Sequence, residues 1–299
     1  MAKPILAYHP KYKLELGEHV FPGLKYPLVY EALADQGLLD GFRVVTPAPV
    51  KISELLLVHS ANYIADFIRG KHTFRTYLSE MPLDMQIART FLLMCGGTIK
   101  AARMALKSGV AVNLAGGFHH GYPCHAEGFC YLNDVAVAVR VLLKQKLIRK
   151  ALILDLDIHQ GNGTSYIFKN DKSVFTCSIH QQNIYPPKEH SDLDVGLRKG
   201  VDDAEYLELL ERTLRTAGDQ FGGDAVFVVA GADILMMDSL GQLMLSKDGI
   251  MARDEMVMGW TKRAGRALIL TLGGGYSRYL QDTIDVHVGT LKGILKNFS

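Results

Sequence analysis

The sequence is short of cysteine, of net charge and of long apolar runs, and each shortage removes a class of protein. Four cysteines (Cys95, Cys124, Cys130 and Cys177) in 299 residues are too few for a disulfide scaffold. They form no C-x-x-C pair and no zinc-finger spacing, so they read as reduced, buried structural thiols of a cytoplasmic protein. Lysine plus arginine number 33 against 31 aspartate plus glutamate, a formal net charge of +2, and no basic run gives a local footprint for nucleic acid. No stretch approaches the ~18 consecutive apolar residues of a membrane span. The N-terminal MAKPILAYHPKYKLELGEHVF is interrupted too often for a secretory leader. The expectation is a chain with no nucleic-acid and no membrane partner. What is present is ordinary globular composition, 48% hydrophobic and 21% charged, which excludes a disordered or fibrous chain. Roughly 150 residues per domain would suggest two domains. No repeat, low-complexity tract or linker divides the chain, so one domain over residues 1–299 is expected.

The most regular signal is a series of short apolar runs: 109–115, 151–156, 174–179, 225–230 and 267–272, with weaker candidates at 5–8 and 43–45. They are nearly continuously apolar and rich in Val, Ile and Leu, as strands buried on both faces are. Helical stripes lie between them, over 97–107, 133–147 and 204–217. This alternation predicts right-handed crossovers and an open α/β fold, a mostly parallel sheet with helices on both faces.

Ligands of such sheets bind beyond the carboxyl ends of the strands. Here those ends carry Gly116-Gly117-Phe118-His119-His120, then Asp155-Leu156-Asp157-Ile158-His159, His180, Gly231-Ala232-Asp233 and Gly273-Gly274-Gly275-Tyr276. Residues i and i+2 of an extended segment point the same way, so Asp157 and His159 can hold one ion. Asp155 lies on the same side, and Asp233 from another strand supplies a third ligand. Two Asp and one His, with a position left for water, is the pattern of a catalytic zinc site.

The adjacent His119 and His120 suit general acid–base work, each needing a partner on its other ring nitrogen. Asp155 and Asn162 are the natural partners. Asp raises imidazole basicity while Asn mainly orients the ring, so unequal basicities are expected. Tyr276, after three glycines, is placed to aim its hydroxyl at a developing oxyanion.

Together GGFHH (116–120), GFCYLND (128–134), DLDIHQGNG (155–163), SIH (178–180), AGAD (230–233) and GGGY (273–276) resemble the zinc-dependent histone deacetylase family of the arginase/deacetylase superfamily. Within it the chain is similar to class IV deacetylases and to bacterial deacetylase-like amidohydrolases. The resemblance implies a sheet of about eight strands and an acylated lysine protein or peptide as substrate. It implies one Zn2+ on Asp157, His159 and Asp233, His120 as main base and acid, and His119 as its electrostatic partner. Tyr276 would polarise the carbonyl; Phe129, Tyr185, Gly128 and Gly274 would contact substrate. A structural K+ would involve Asp155, Ser178 and Ile179, with backbone of Asp157 and His159. The family's best-known members carry Asp where this chain has Asn162.

Three other functions compete. An arginase-like hydrolase needs two bridged metals, and one D-x-H plus one Asp supplies about one site. An acetylpolyamine amidohydrolase would want acidic groups at the tunnel mouth, for which Glu15, Glu18 and Glu80 are candidates. A non-catalytic acyl-lysine binder conflicts with the full set of catalytic residue types. Acetyl is the default acyl group; resemblance to class IV also admits longer fatty acyl chains. Pocket depth then turns on Gly116, Gly117 and the loop His19–Tyr26.

Overall fold

A computed structural model describes residues 3–298. Eight strands form one sheet: β1 (Ile5–Ala7), β2 (Arg43–Val45), β3 (Val110–Asn113), β4 (Ala151–Asp155), β5 (Val174–Gln181), β6 (Leu193–Leu197), β7 (Ala225–Val229) and β8 (Ala267–Thr271). Their spatial order is β2-β1-β3-β8-β7-β4-β5-β6, and every neighbouring pair is parallel. Strands β3, β4, β5 and β7 are buried at every position, so both faces are covered.

Among the described residues ten α-helices supply the cover: α1 (Lys25–Asp35), α2 (Ile52–Leu55), α3 (Ala61–Ile68), α4 (Phe74–Tyr77), α5 (Met85–Ser108), α6 (Asp134–Lys144), α7 (Asn162–Phe168), α8 (Asp203–Gln220), α9 (Lys247–Arg263) and α10 (Leu280–Phe298). Helix α5 lies on β1, β3 and β8 and leads through α6 to α7, while α1, α10, α9 and α8 make a second row.

Two sequence expectations need correction. The sequence pattern starts a helix at Gly97, but α5 begins twelve residues earlier, capped by Asp84 Oδ1 accepting from the Ile87 N–H at 2.7 Å. Gly96 and Gly97 do not break it. A Cβ at Gly96 would strike the Ala48 carbonyl, and one at Gly97 the Tyr12 hydroxyl, so both glycines serve close approach. Strand β6 had no apolar run to announce it. It is an edge strand with alternating burial, and its charged Asp194 lies between Leu193 and Val195. Cysteine usage also differs in one place: Cys95, Cys130 and Cys177 are buried and free, but Cys124 is exposed.

Register sets the site. Asp155 is level with Ser178 on β5 and Val229 on β7, Val229 is level with Thr271 on β8, and Thr271 with Asn113 on β3. The loops after five consecutive strands, β3-β8-β7-β4-β5, therefore leave the sheet side by side.

Candidate active site

The loop after β4 and the loop after β7 bring Asp157, His159 and Asp233 together, one donor atom from each lying within 4.8 Å of the others. All three are buried, Asp233 completely. Asp157 is oriented by backbone donors: its Oδ1 accepts from the His159 N–H (3.0 Å) and its Oδ2 from the Gly274 N–H (2.6 Å). Asp233 Oδ1 accepts from the Ile158 N–H at 3.0 Å, but its Oδ2 is buried without any hydrogen bond. His159 Nδ1 faces both acids, 3.2 Å from Asp157 Oδ1 and 3.4 Å from Asp233 Oδ2. A Cβ at Gly274 would run into Asp233 Oδ2, so the glycine keeps the space between the acids open. An orphaned carboxylate oxygen in a buried two-Asp, one-His set is what a zinc ion would satisfy.

The electrostatics agree. Burial together with the Asp157 charge pushes the Asp233 carboxyl up to about 7. Burial opposes ionisation of Asp157 as well, but the neighbouring imidazoles of His119 and His159 prevail and hold it well below the carboxylate range. Burial would lower His159, yet the two acids push it up to about 10. Two buried carboxylates share His159, and one of their oxygens is left without a hydrogen bond, a setting that a further cation would relieve.

Beside this cluster the loop after β3 carries the histidine pair, ring centroids 4.1 Å apart. The His119 Nδ1–H donates to Asp155 Oδ2 at 2.6 Å, and the His120 Nδ1–H to Asn162 Oδ1 at 2.8 Å. Burial lowers His119, but the charges of Asp155 and Asp157 outweigh it and bring the imidazole up to about 9. Burial and the neighbouring His119 and His159 hold His120 well below the ordinary value. Tyr276 keeps its proton, since burial and the charges of Asp157 and Asp233 raise the phenol.

Above the cluster opens a cavity of about 330 Å3, lined by Glu80, His120, Gly128, Phe129, His159, Ile184, Tyr185, Leu240 and Tyr276. Phe129 and Tyr276 face each other, centroids 5.8 Å apart, and Tyr185 leans on His120 at 5.5 Å. Beneath lies a chamber of only about 20 Å3 whose walls include Phe21, Tyr26, Gly116, Gly117 and Gly274.

A family model described as "Histone deacetylase domain" matches residues 19–291. The chain belongs to the histone deacetylase family. This family member is 37% identical over 290 residues to an uncharacterized protein of Picosynechococcus sp., covering 96% of each chain. It is 32% identical to histone deacetylase 2 of Arabidopsis thaliana, over 89% of this chain and 73% of that protein. It is 30% identical to a probable deacetylase of Archaeoglobus fulgidus, over 91% and 81%. The crystal structure of the HDA15 HD domain superposes with a TM-score of 0.85 at 22% identity, covering 99% of this chain and 90% of that one, which shows the shared fold. Membership of the family supports a deacetylase hydrolase.

In this histone deacetylase family member the structure gathers the anticipated residues unevenly. Asp157, His159, Asp233, His119, His120, Asp155, Asn162 and Tyr276 meet at one centre, with Gly128, Phe129 and Tyr185 on the cavity wall. Gly274 instead donates its N–H to Asp157 Oδ2 and lines the small chamber. Ser178 lies beside Asp155 in the sheet, its hydroxyl 3.0 Å from His180 Nδ1, while Ile179 is fully buried. His180 stays within β5, where burial and the nearby Lys188 bring it down to about 4, and it does not reach the cavity. Both Asp155 oxygens accept hydrogen bonds, from the His119 Nδ1–H and from the Asp157 N–H.

Several supporting residues escaped sequence reasoning. Arg253 on α9, completely buried, donates from Nη1 to the Gly231 carbonyl (2.7 Å) and the Leu156 carbonyl (3.4 Å), joining both ligand loops. Asp238 accepts from the Tyr276 N–H (2.7 Å) and the Leu240 N–H (2.9 Å), fixing two cavity residues. Lys25, fully buried, donates to the Gly273 carbonyl at 2.5 Å, and burial brings its amine down to about 8. In the sequence each is one more charged residue in a helix or loop; none carried a signal.

Proposed function

We propose that the chain is a zinc-dependent amidohydrolase that removes short acyl groups, acetyl first, from the side-chain amine of lysine in proteins or peptides. The observation that carries it is the orphaned Asp233 Oδ2, in a two-Asp, one-His set whose His159 lines a cavity that also presents His120 and Tyr276. Asp157, His159 and Asp233 would hold the ion. When bound there, zinc supplies Lewis-acid polarisation of a carbonyl and brings the acidity of water near neutral pH. The aromatic walls, Phe129 and Tyr185, shelter an aliphatic side chain from water. His120, neutral and with Nδ1–H already engaged, takes the proton of the attacking water on Nε2 and then delivers it to the leaving amine. Tyr276, kept protonated, donates to the carbonyl oxygen as negative charge develops there. His119, paired with Asp155, holds positive charge beside the centre. Potassium enters only as a structural ion near Asp155, Ser178 and Ile179. A cytoplasmic setting belongs to the same proposal, supported by four unpaired cysteines.

Acyl length follows from the chamber below the centre. About 20 Å3 is room for roughly one water or methyl. A chamber of this size favours a short acyl group over a fatty tail. Among the described residues a single three-donor group gathers, which supports one ion rather than the bridged pair of an arginase-like centre. A second reading, an acetylpolyamine substrate, draws on Glu80, a carboxylate lining the cavity. Glu15 borders separate grooves instead.

The test is a zinc-loaded assay with acetyl- to myristoyl-lysine peptides and acetylated diamines. Fastest release from acetyl-lysine is expected. No zinc-dependent release from any substrate overturns the hydrolase; faster myristoyl release overturns the short-acyl assignment; preference for the diamine favours the second reading.

A further inference from the structure

The histidine that the proposal makes the base is not oriented by Asn162 alone. Asn162 Oδ1 accepts from His120 Nδ1–H at 2.8 Å and from the Gly163 N–H at 2.9 Å, while Asn162 Nδ2 donates to Glu127 Oε1 at 2.7 Å. We propose that Glu127 is a positioning residue for His120, its carboxylate acting together with the Gly163 N–H on the Asn162 amide to hold the imidazole proton on Nδ1. The inference rests on the reading of His120 as the base.

An ionised carboxylate only accepts hydrogen bonds, so the amide must turn its NH2 toward Glu127 and its oxygen toward His120. That oxygen in turn only accepts, so the proton sits on Nδ1 and the lone pair on Nε2, the nitrogen left free. Burial works against the Glu127 charge, but hydrogen bonds from His125, Asn162 and Tyr185 outweigh it and keep the carboxyl below the usual range. A negative charge therefore stands one amide away from the imidazole, in a chain that lacks a direct Asp partner on this ring.

The backbone makes Glu127 a fixed point. Its N–H donates to the Cys130 carbonyl (3.1 Å) and its carbonyl accepts from the Cys130 N–H (2.8 Å). Between them Gly128 and Phe129 sit at φ 47° and 63°, the left-handed pair of a tight mirror-image turn. For Phe129 this is an unusual conformation, of the kind kept at functional sites. The turn that swings Phe129 onto the cavity wall thus also anchors the carboxylate. The same carboxylate lies beside the Tyr185 hydroxyl, so one group steadies the base and the opposite wall.

The experiment is a cycle of Glu127→Ala, Asn162→Asp and the double variant, all in the full zinc-loaded chain. On acetyl-lysine peptide, Glu127→Ala should lower kcat about tenfold or more with zinc content little changed, and any rise in KM through Tyr185 should be smaller than the fall in kcat. Asn162→Asp alone sets two carboxylates against each other and should also lose activity. The double variant should exceed both single variants, because Asp has no amide to orient. An unaltered kcat in Glu127→Ala, or a double variant no better than Asn162→Asp, overturns the proposal. Imidazole 15N spectra provide a measure independent of turnover. Wild type should show His120 protonated on Nδ1, and Glu127→Ala a mixture of tautomers. An unchanged pattern overturns the proposal even if the chain hydrolyses none of the acyl substrates, a failure that would count against the amidohydrolase reading alone.

Discussion

His119 and His120 are neighbours in sequence and equally buried, each 4% exposed, yet they end in opposite electrostatic settings. The His119 side runs into Asp155 and the acids of the metal-ligand cluster, and its imidazole is held up to about 9. The His120 side runs into an amide, and its imidazole is held well below the ordinary value. Both rings are buried; the charges of Asp155 and Asp157 outweigh that burial at His119, whereas at His120 the neighbouring His119 and His159 add to it and only an amide meets Nδ1. Burial alone would have made both neutral. One side is suited to standing charge and the other to carrying a proton back and forth.

The harshest way to break this comparison is to remove what both sides face. Asp233→Ala should cost more than about 100-fold in zinc affinity and abolish turnover, since loss of a ligand exceeds loss of a supporting group. Full metal occupancy in that variant, by elemental counting, would remove Asp233 from the ligand set. Tyr276→Phe should lower kcat by about 10²–10³ with zinc retained; unchanged turnover would end its role at the oxyanion. The neutral side predicts the shape of the pH profile. His120 must be unprotonated to act and is held below 6.5, so kcat should persist as pH falls through 6.5. It should drop about tenfold per unit only lower down. An acid limb above 6.5 would assign the base elsewhere.

His59 sharpens the comparison through stability. It backs the neutral side: Nδ1–H donates to the Tyr122 carbonyl (3.0 Å) and Nε2 accepts from the Asn133 N–H (3.1 Å). Asn133 in turn donates to the carbonyls of His119 and Gly121. Burial brings His59 down to about 4 from 6.5. The unfolded chain thus binds the extra proton first, and stability falls as pH drops from 6.5 toward 4, by about 3 kcal/mol from this group. Denaturation series should show a shallower loss over that window in His59→Gln; an identical slope would discard the assignment. The smallest effect belongs outside both sides. Cys124→Ser, at an exposed thiol, should leave kcat unchanged and stability within about 0.5 kcal/mol.

The sheet was largely legible because continuous apolar runs leave few alternatives to buried parallel strands, and the strand ends named the centre. Asp157, His159 and Asp233 could be joined on paper since topology, not distance along the chain, brings strand ends together. What stayed hidden was support that uses ordinary residue types in unusual burial. Arg253-Asp254 reads as a surface pair on an amphipathic helix, yet Arg253 is completely buried and binds two loop carbonyls. Glu127 stood one residue outside a recognisable motif, and only the turn geometry reveals where its carboxylate points. Edge strand β6 lacked the apolar continuity on which the other assignments relied.

The strand order has a consequence in time. β8 is the last strand in the chain but sits fourth in the sheet, between β3 and β7. Until it docks, β2-β1-β3 and β7-β4-β5-β6 have no shared edge, and the two histidines stand on a different piece from the acids. During synthesis from the N-terminus the centre is therefore incomplete until the segment through Tyr276 has emerged. A ribosome-bound chain halted before residue 267 should already carry all three metal ligands on the β7-β4-β5-β6 piece but lack Tyr276 and the apposed histidine pair, so turnover, not metal uptake, reports the final closure of the sheet.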